Sequence, residues 1–135
     1  MHYYPSLSEA DKDGAIARGW IPDFLPGSSR NIRETAEDSP SEEWCAFEFS
    51  ANDSANLRNH LNPVQRVPQA VTHLPSPGGS WWPAVLQGTL DVQKIHAAGL
   101  ELYVVERPET SVTTEILLFA IDWANGRAFF YGTRE

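Results

Sequence analysis

The stretch TEILLFAIDWANGRAFFYG, residues 114–132, decides the fold of this chain. It predicts two antiparallel strands joined at Asn125-Gly126, because this dipeptide favours the positive φ angles of a tight two-residue hairpin turn. Such a turn pairs Ile121 with Phe130 and sets which side chains share a face. The C-terminal β-hairpin is therefore the element from which the rest of the fold is inferred.

Both faces of this hairpin are apolar. One face carries Leu117, Phe119, Ile121, Trp123, Ala128 and Phe130. The other face carries Ile116, Leu118, Ala120, Phe129 and Tyr131. A strand pair with two apolar faces is either central in a sheet and covered on both sides, or has one face that meets a partner. The second possibility makes a dimer one expectation for this protein.

Strands and short helices alternate in the rest of the sequence. Residues 99–107 alternate in polarity as a strand does. Residues 29–50 predict two strands around a polar turn, the second of them half-buried. The capping box formed by Ser6 and Glu9 predicts a helix over residues 7–18.

Two further short helices are predicted nearer the middle of the chain. One carries Leu57 and Leu61 on the same face and ends at Pro63, because the residue before a proline disfavours helical geometry. Residues 89–99 are ambiguous between helix and strand. We favour a short helix that turns Leu90, Ile95 and Ala98 inward.

This order of elements predicts an α+β fold with a mostly antiparallel sheet, short helices and the C-terminal β-hairpin. The chain of 135 residues has the length of a single domain, so one domain is expected over residues 1–135. Residues 1–5 are expected to form a loose lead-in. An apolar content of 41% is sufficient for a real core.

The segment GWIPDFLP, residues 19–26, is hydrophobic but irregular, because Pro22 and Pro26 cannot both lie inside a helix or strand. We interpret it as an extended strap over an open sheet face. In this interpretation Trp20 and Phe24 fill the space above the sheet and cover apolar surface.

Four aromatic side chains are the candidate binding residues, because aromatic residues, tryptophan above all, dominate binding hot spots. They are Trp20, Phe24, Trp81 and Trp82. All four stand in irregular segments that contain prolines. Such side chains either fill a core or are displayed to a partner, and the sequence leaves both possibilities open.

The charge and the motif content oppose several functions. A net charge of −8 and a pI of about 4.9 oppose binding to nucleic-acid phosphates. The four histidines lack the spacing of metal ligands, and Cys45 lies in an apolar run that predicts a buried, inert thiol. We therefore predict no catalytic residue, no metal and no cofactor.

Asp122 interrupts an apolar strand just before the hairpin turn. We interpret it as a structural residue that is satisfied by turn amides near Asn125. An enzyme whose site is assembled from Asp122, His96, Glu101 and Arg127 is the less favoured alternative.

The sequence predicts no membrane span, because no stretch approaches the roughly 18 apolar residues that a spanning helix needs. The N-terminus also lacks the basic and apolar regions of a signal peptide. We therefore expect a soluble protein, cytoplasmic as written. The soluble domain of an envelope-anchored protein is the alternative.

Four short elements together carry a resemblance to a known family. They are a W-x-P-x-x-L-P element at Trp20, Pro22, Leu25 and Pro26, a polar strand Ile32-Arg33-Glu34, a W-W-P element at Trp81-Trp82-Pro83, and a D-W-x-x-G-R-A element at Asp122-Trp123 and Gly126-Arg127-Ala128. In this order, over residues 19–131, they resemble the YbbD head-domain-like family of small bacterial proteins. The resemblance implies an architecture and no catalytic residues, since the family has no established activity. It also implies a likeness to the soluble part of an N-terminally anchored protein.

Taken together, these features predict a non-enzymatic binding or interaction protein of bacterial type. Its acidic charge favours a basic protein partner, as for an immunity or inhibitor protein. A small-molecule or peptide-binding module that uses the Trp81-Trp82 region is the alternative.

Overall fold

The computed structural model describes residues 1–18, 21–38, 41–64, 66–68, 71–110 and 113–134. The strands are β1 (His2–Ser6), β2 (Arg30–Asp38), β3 (Ser41–Glu48), β4 (Asn62–Pro63), β5 (His73–Leu74), β6 (Gly88–Thr89), β7 (Glu101–Thr110), β8 (Thr113–Asp122) and β9 (Arg127–Arg134). Within these described residues, seven strands form one antiparallel sheet in the order β1-β2-β3-β9-β8-β7-β4, and β5 pairs with β6. The predicted single-domain α+β fold with a mostly antiparallel sheet is confirmed.

The helices are short. They are α1 (Leu7–Lys12), α2 (Ala55–His60) and α3 (Val92–Ala97), with 3-10 turns at Ala51–Asp53 and Ala84–Leu86. The Ser6 hydroxyl accepts a hydrogen bond from the Glu9 N–H at 3.3 Å, as the capping box predicts. Nevertheless α1 is shorter than the predicted range 7–18, because Gly14 adopts a φ of +81° just after the helix.

Two antiparallel meanders make up the main sheet. The first consists of β1, β2 and β3, and the second consists of β7, β8 and β9. The β3–β9 pair joins them, with Cys45 opposite Phe130 and Phe47 opposite Ala128. Because this pair lies in the middle of the sheet, the chain has to cover both of its faces.

Each face of the sheet has its own hydrophobic core. The first core, under α1, α2 and the strap, includes Ile21, Phe24, Leu25, Leu57, Cys45, Phe47, Phe119, Ile121 and Phe130. The second core, under residues 71–100, includes Val71, Leu74, Trp82, Leu86, Ile95, Trp44, Leu118, Ala120, Phe129 and Tyr131. The β8–β9 hairpin is therefore covered on both sides by its own chain, and its apolar faces give no reason for dimerisation.

Three local expectations are wrong. Strand β3 is not half-buried, because Trp44 and Cys45 are both buried on opposite faces. Residues 1–5 are not a loose lead-in, because His2–Ser6 is an edge strand that pairs with β2. Ala98 is exposed rather than inward, since it is the C-cap of α3.

The β8–β9 hairpin is present, but its predicted register is wrong by two residues. Asp122 lies opposite Arg127 and Ile121 lies opposite Ala128, so the turn is longer than the expected two residues. The Asp122 side chain favours this longer turn, because its Oδ1 accepts the Asn125 N–H at 3.1 Å. The predicted faces survive, since a shift of two residues leaves every side chain on its own face.

The described part of the irregular segment lies over the first face as the predicted strap. Phe24 is buried, its ring stacks on His60 with 4.6 Å between centroids, and it packs against Phe119 at 6.0 Å. Ile21 is buried in the same core. Trp20, the other expected core residue of the strap, lies outside the described residues.

Gly126→Ala should destabilise the fold by about 2–4 kcal/mol. A Cβ at this position would lie 2.1 Å from the Phe49 carbonyl oxygen, and the φ of +66° is strained for alanine. The Phe49 N–H also donates to the Gly126 carbonyl at 2.8 Å, so the turn cannot move away without breaking that bond. Urea denaturation measures the loss. Gly27→Ala is the control, because a Cβ there meets no atom within 4 Å, and equal stability of the two variants would contradict this account.

Candidate functional site

A groove of about 490 Å³ opens on the second face of the sheet, beside the end of its cover. We call it the Trp81 groove, and its lining includes Met1, Asn31, Arg33, Ala46, Glu48, Trp81, Arg127 and Phe129. Strands β2, β3 and β9 supply the floor, and the loop that carries Trp81 supplies a wall. The groove is therefore a region where the chain leaves part of its own sheet uncovered.

The floor of the Trp81 groove is formed by facing residues on three strands. Ala46 on β3 lies between Arg33 on β2 and Phe129 on β9 in the sheet register. Because alanine is smaller than both neighbours, the middle of the floor is lower than its sides. The floor is thus apolar at Phe129 and cationic at Arg33.

Trp81 is half-buried and forms the wall. Its ring meets Trp82 edge-on with 5.9 Å between centroids, and Trp82 meets Phe129 in the same way at 5.9 Å. Gly79 makes room for the Trp81 indole, since a Cβ there would lie 2.1 Å from Trp81 Nε1. Trp81 therefore rests on the second core on one side and borders the groove on the other.

The glutamate of the groove is held by an amide rather than by an arginine. Glu48 Oε2 accepts a hydrogen bond from Asn31 Nδ2 at 2.7 Å, and Asn31 Oδ1 accepts one from the Tyr3 hydroxyl at 2.7 Å. Among the residues described, Asn31 is the non-glycine residue with a positive φ, at 49°. It lies where the β2–β3 pairing is irregular, and asparagine tolerates this conformation well.

Arg127 is held from the hairpin side by Asp122. One terminal nitrogen of Arg127 donates to Asp122 Oδ2 at 3.2 Å, and Asp122 also accepts from the Asn125 side chain at 2.8 Å. These hydrogen bonds, that of the Asn125 side chain foremost, lower the pKa of Asp122 below its usual value. The predicted hydrogen bond from a turn amide near Asn125 to Asp122 is therefore confirmed.

The structure separates the four predicted binding residues. Trp81 lines the groove. Trp82 is buried, and its indole N–H donates to the Leu86 carbonyl at 2.8 Å. Phe24 is buried in the core on the opposite face, and Trp20 lies outside the described residues. Direct ligand contact by Phe24 or Trp82 would require a core to open.

The four residues of the enzyme alternative do not converge on one pocket. His96 and Glu101 line a separate cavity of about 380 Å³ beside the β4–β7 pair. Glu101 accepts a hydrogen bond from the Tyr103 hydroxyl at 2.7 Å, and burial is the main cause that raises the pKa of Tyr103. Asp122 and Arg127 pair with each other instead.

Other chemistry finds little support in the described part of the chain. It holds no group of three or more histidine, cysteine, aspartate or glutamate side chains arranged to bind a metal ion. Cys45 is fully buried, and burial raises the pKa of its thiol well above the usual value, which disfavours the nucleophilic thiolate. None of its helices combines the length and the apolar character that crossing a bilayer requires.

Sequence reasoning missed the groove roles of Asn31, Arg33 and Glu48. The alternation in β3 already places Ala46 and Glu48 on one face. Placing Arg33 on the same face requires the β2–β3 register. Because the pairing is irregular between Arg30 and Arg33, counting residues along the sequence does not give that register.

A family model of the YbbD head domain matches residues 1–38. The resemblance inferred from the sequence over residues 19–131 is thus confirmed over residues 19–38, where the W-x-P-x-x-L-P and I-R-E elements lie, and the match also includes β1 and α1. The W-W-P and D-W-x-x-G-R-A elements lie beyond it. No curated protein and no solved structure gives a significant match to the chain.

Gly79→Ala should displace the Trp81 indole, because the new methyl group would overlap Nε1. The groove leaves the ring room to move, so we expect a stability loss of only about 1 kcal/mol. The measurement is the indole ¹H–¹⁵N signal of Trp81 together with the unfolding midpoint. Gly27→Ala serves as the control, and an unshifted indole signal in Gly79→Ala would show that Gly79 does not position Trp81.

Asp122→Asn should make the protein less stable at neutral pH and less sensitive to acid. A lowered folded-state pKa means that the ionised carboxylate stabilises the fold above about pH 4 and that this contribution is lost as the pH falls. We therefore expect the melting temperatures of wild type and variant to converge between about pH 7 and about pH 2. Asp11→Asn, at an exposed carboxylate, is the control. A difference in melting temperature between wild type and Asp122→Asn that stays constant on acidification would contradict the stabilising role of the ionised Asp122 carboxylate.

Proposed function

We propose that this chain is a non-enzymatic binding protein and that the Trp81 groove receives its ligand. The observation that carries the proposal is the half-buried Trp81 beside Phe129, in a groove that also contains Arg33 and Arg127. Tryptophan and arginine are among the residues most enriched at binding hot spots. Their combination in one concave site favours a ligand with both an apolar and a polar part.

The groove favours the alternative stated from the sequence, which is a small-molecule or peptide-binding module that uses the Trp81-Trp82 region. Its volume of about 490 Å³ lies within the range of roughly 300–1,000 Å³ that is typical of ligand sites. Trp82 contributes indirectly, because its ring supports both Trp81 and Phe129. A wall that rests on a packed core loses little conformational entropy when a ligand binds.

An enzymatic function is the less favoured alternative. A general base works best with a pKa near the working pH, whereas the hydrogen bonds of Asp122 lower its pKa. Asp122 is also paired with Arg127, which lines the Trp81 groove, while His96 and Glu101 line the other cavity. These positions favour binding over a shared catalytic task.

Inhibition of a basic partner, as by an immunity protein, stays a prediction that rests on the net charge of −8. Such a partner would contact the acidic exterior, because the arginines of the groove repel a cationic ligand. A bacterial source is likewise a prediction from the sequence. So is a cytoplasmic location, with an envelope-anchored soluble domain as the alternative.

Two libraries test the proposed function: small-molecule fragments, and phage-displayed random linear peptides. We expect ligands to shift the indole ¹H–¹⁵N signal of Trp81 and the amide signals of the groove. Trp81→Ala should weaken the tightest ligand by about 2 kcal/mol, or roughly 30-fold, because it removes the aromatic wall. Isothermal titration calorimetry measures this change.

Two further variants control this test. Trp81→Phe should retain part of the affinity, since it keeps an aromatic wall. Val85→Ala is the matched truncation, because Val85 packs against the second core without lining the groove. Binding to Trp81→Ala that is as tight as binding to wild type would refute the proposed function, and so would shifts confined to signals outside the groove.

A further inference from the structure

We infer that the ligand of the Trp81 groove is an extended acidic segment of a partner protein. Its carboxylates bind Arg33 and Arg127, and an apolar or aromatic side chain packs against Trp81 above Ala46. This inference rests on the proposed function and adds the chemical class of the partner to it.

Arg33 is preorganised and has no acidic partner within the described residues. Its guanidinium carbon lies 5.5 Å from the centre of the Tyr3 ring, so one face of the guanidinium is supported. No acidic side chain in the part of the chain that the structure describes comes within ion-pair distance of it. This cation–π contact uses no N–H donor, and the N–H groups of a guanidinium match a carboxylate in a bidentate pair.

Hydrogen bonds within the chain use only part of the donor capacity of the Arg127 side chain. One terminal nitrogen donates to Asp122, and the Arg127 side chain remains 51% exposed. A guanidinium carries five N–H donors in a planar fork. The bond to Asp122 therefore fixes the direction of Arg127 while other donors remain for a ligand.

Glu48 is an acidic residue in the lining of the groove, and Asn31 restrains it. The Asn31 amide donates to Glu48 Oε2 at 2.7 Å. Glu48 and the buried Asp122 match the two arginines in number, but both carboxylates already accept hydrogen bonds from this chain, while Arg33 and Arg127 line the groove. Guanidinium donors that face the groove, beside carboxylates that are already hydrogen-bonded, favour an anionic ligand.

The separation of the arginines suits an extended peptide. Strands β2 and β9 flank β3 and are about 10 Å apart, and Arg127 lies two residues along β9 from Phe129, which is level with Arg33, so the two backbone positions are about 12 Å apart. Side chains on one face of an extended peptide recur about every 7 Å, so acidic residues two or four positions apart bracket this distance. Flexible arginine side chains accommodate the difference.

Other classes of anionic ligand would make fewer favourable contacts with the groove than an acidic peptide. A nucleic acid would bring many phosphates close to an acidic protein, which is unfavourable. A small inorganic anion would contact the arginines and leave Trp81 and Phe129 without a partner. An acidic peptide with an apolar side chain contacts both kinds of surface.

Selection of phage-displayed random linear peptides on the wild-type protein tests this inference. We expect enriched peptides to carry aspartate or glutamate near an aromatic or leucine residue. The most enriched peptide is then synthesised and titrated by calorimetry. Arg33→Gln and Arg127→Gln should each weaken it about 10-fold, and the double variant should also show a shallower dependence of affinity on salt.

Lys94→Gln is the charge-matched control, because Lys94 is exposed on α3 and does not line the groove. It should bind the peptide as wild type does. Arg127→Gln also loses the bond to Asp122, so its melting temperature is recorded. Should that variant unfold, Arg33→Gln decides the question together with Arg33→Lys, which keeps the charge but loses the fork and should show intermediate affinity.

The outcomes separate this inference from the proposed function. Enrichment of neutral or basic peptides, or unchanged binding to the double variant, would overturn the acidic assignment, while weakened binding to Trp81→Ala would still support the proposed function. Fragments that bind beside Trp81 without any enriched peptide would overturn the peptide assignment alone. If the wild-type protein self-associates and the double variant does not, the occupant of the groove is a second copy of this chain, and the assignment to a different partner protein is overturned. The absence of both fragments and peptides would overturn the proposed function itself.

Discussion

The pairing of β3 with β9 is the constraint on which the rest of the structure depends. It joins residues 41–48 to residues 127–134, so the chain closes a loop over most of its length before these strands meet. Closing such a loop costs conformational entropy, which apolar burial on both faces of the pair offsets. Without this pair, each meander would be a small sheet with an unpaired apolar edge.

The groove follows from the way the two faces are covered. Residues 71–100 cover the second face as far as Trp81, while β1 and β2 continue the sheet beyond it. The far part of that face therefore remains open, with Arg33 on its floor and Asn31 and Glu48 beside it. The same architecture that buries Trp82 thus leaves its neighbour Trp81 at an open surface.

Much of the sheet was predictable, because strand alternation depends only on whether a position is odd or even. The faces of β8 and β9 were therefore right even though the register was wrong by two residues. The register was missed because hydrogen bonds of Asp122 with Asn125 outweigh the preference of Asn-Gly for a shorter turn. The length of α1 was missed because Gly14 ends the helix before the predicted range of residues 7–18 is complete.

By itself the sequence determined the α+β class, the strands β2, β3, β7, β8 and β9, the faces of the C-terminal hairpin, the cap of α1 and the acidic balance of the chain. These features depend on neighbours along the chain, which a pattern of residues records directly. Only the tertiary structure decided that Trp81 is open while Trp82 is buried, and that Arg33 and Arg127 border one groove. The physical reason is that both outcomes depend on pairing between distant strands and on where the cover of the sheet ends.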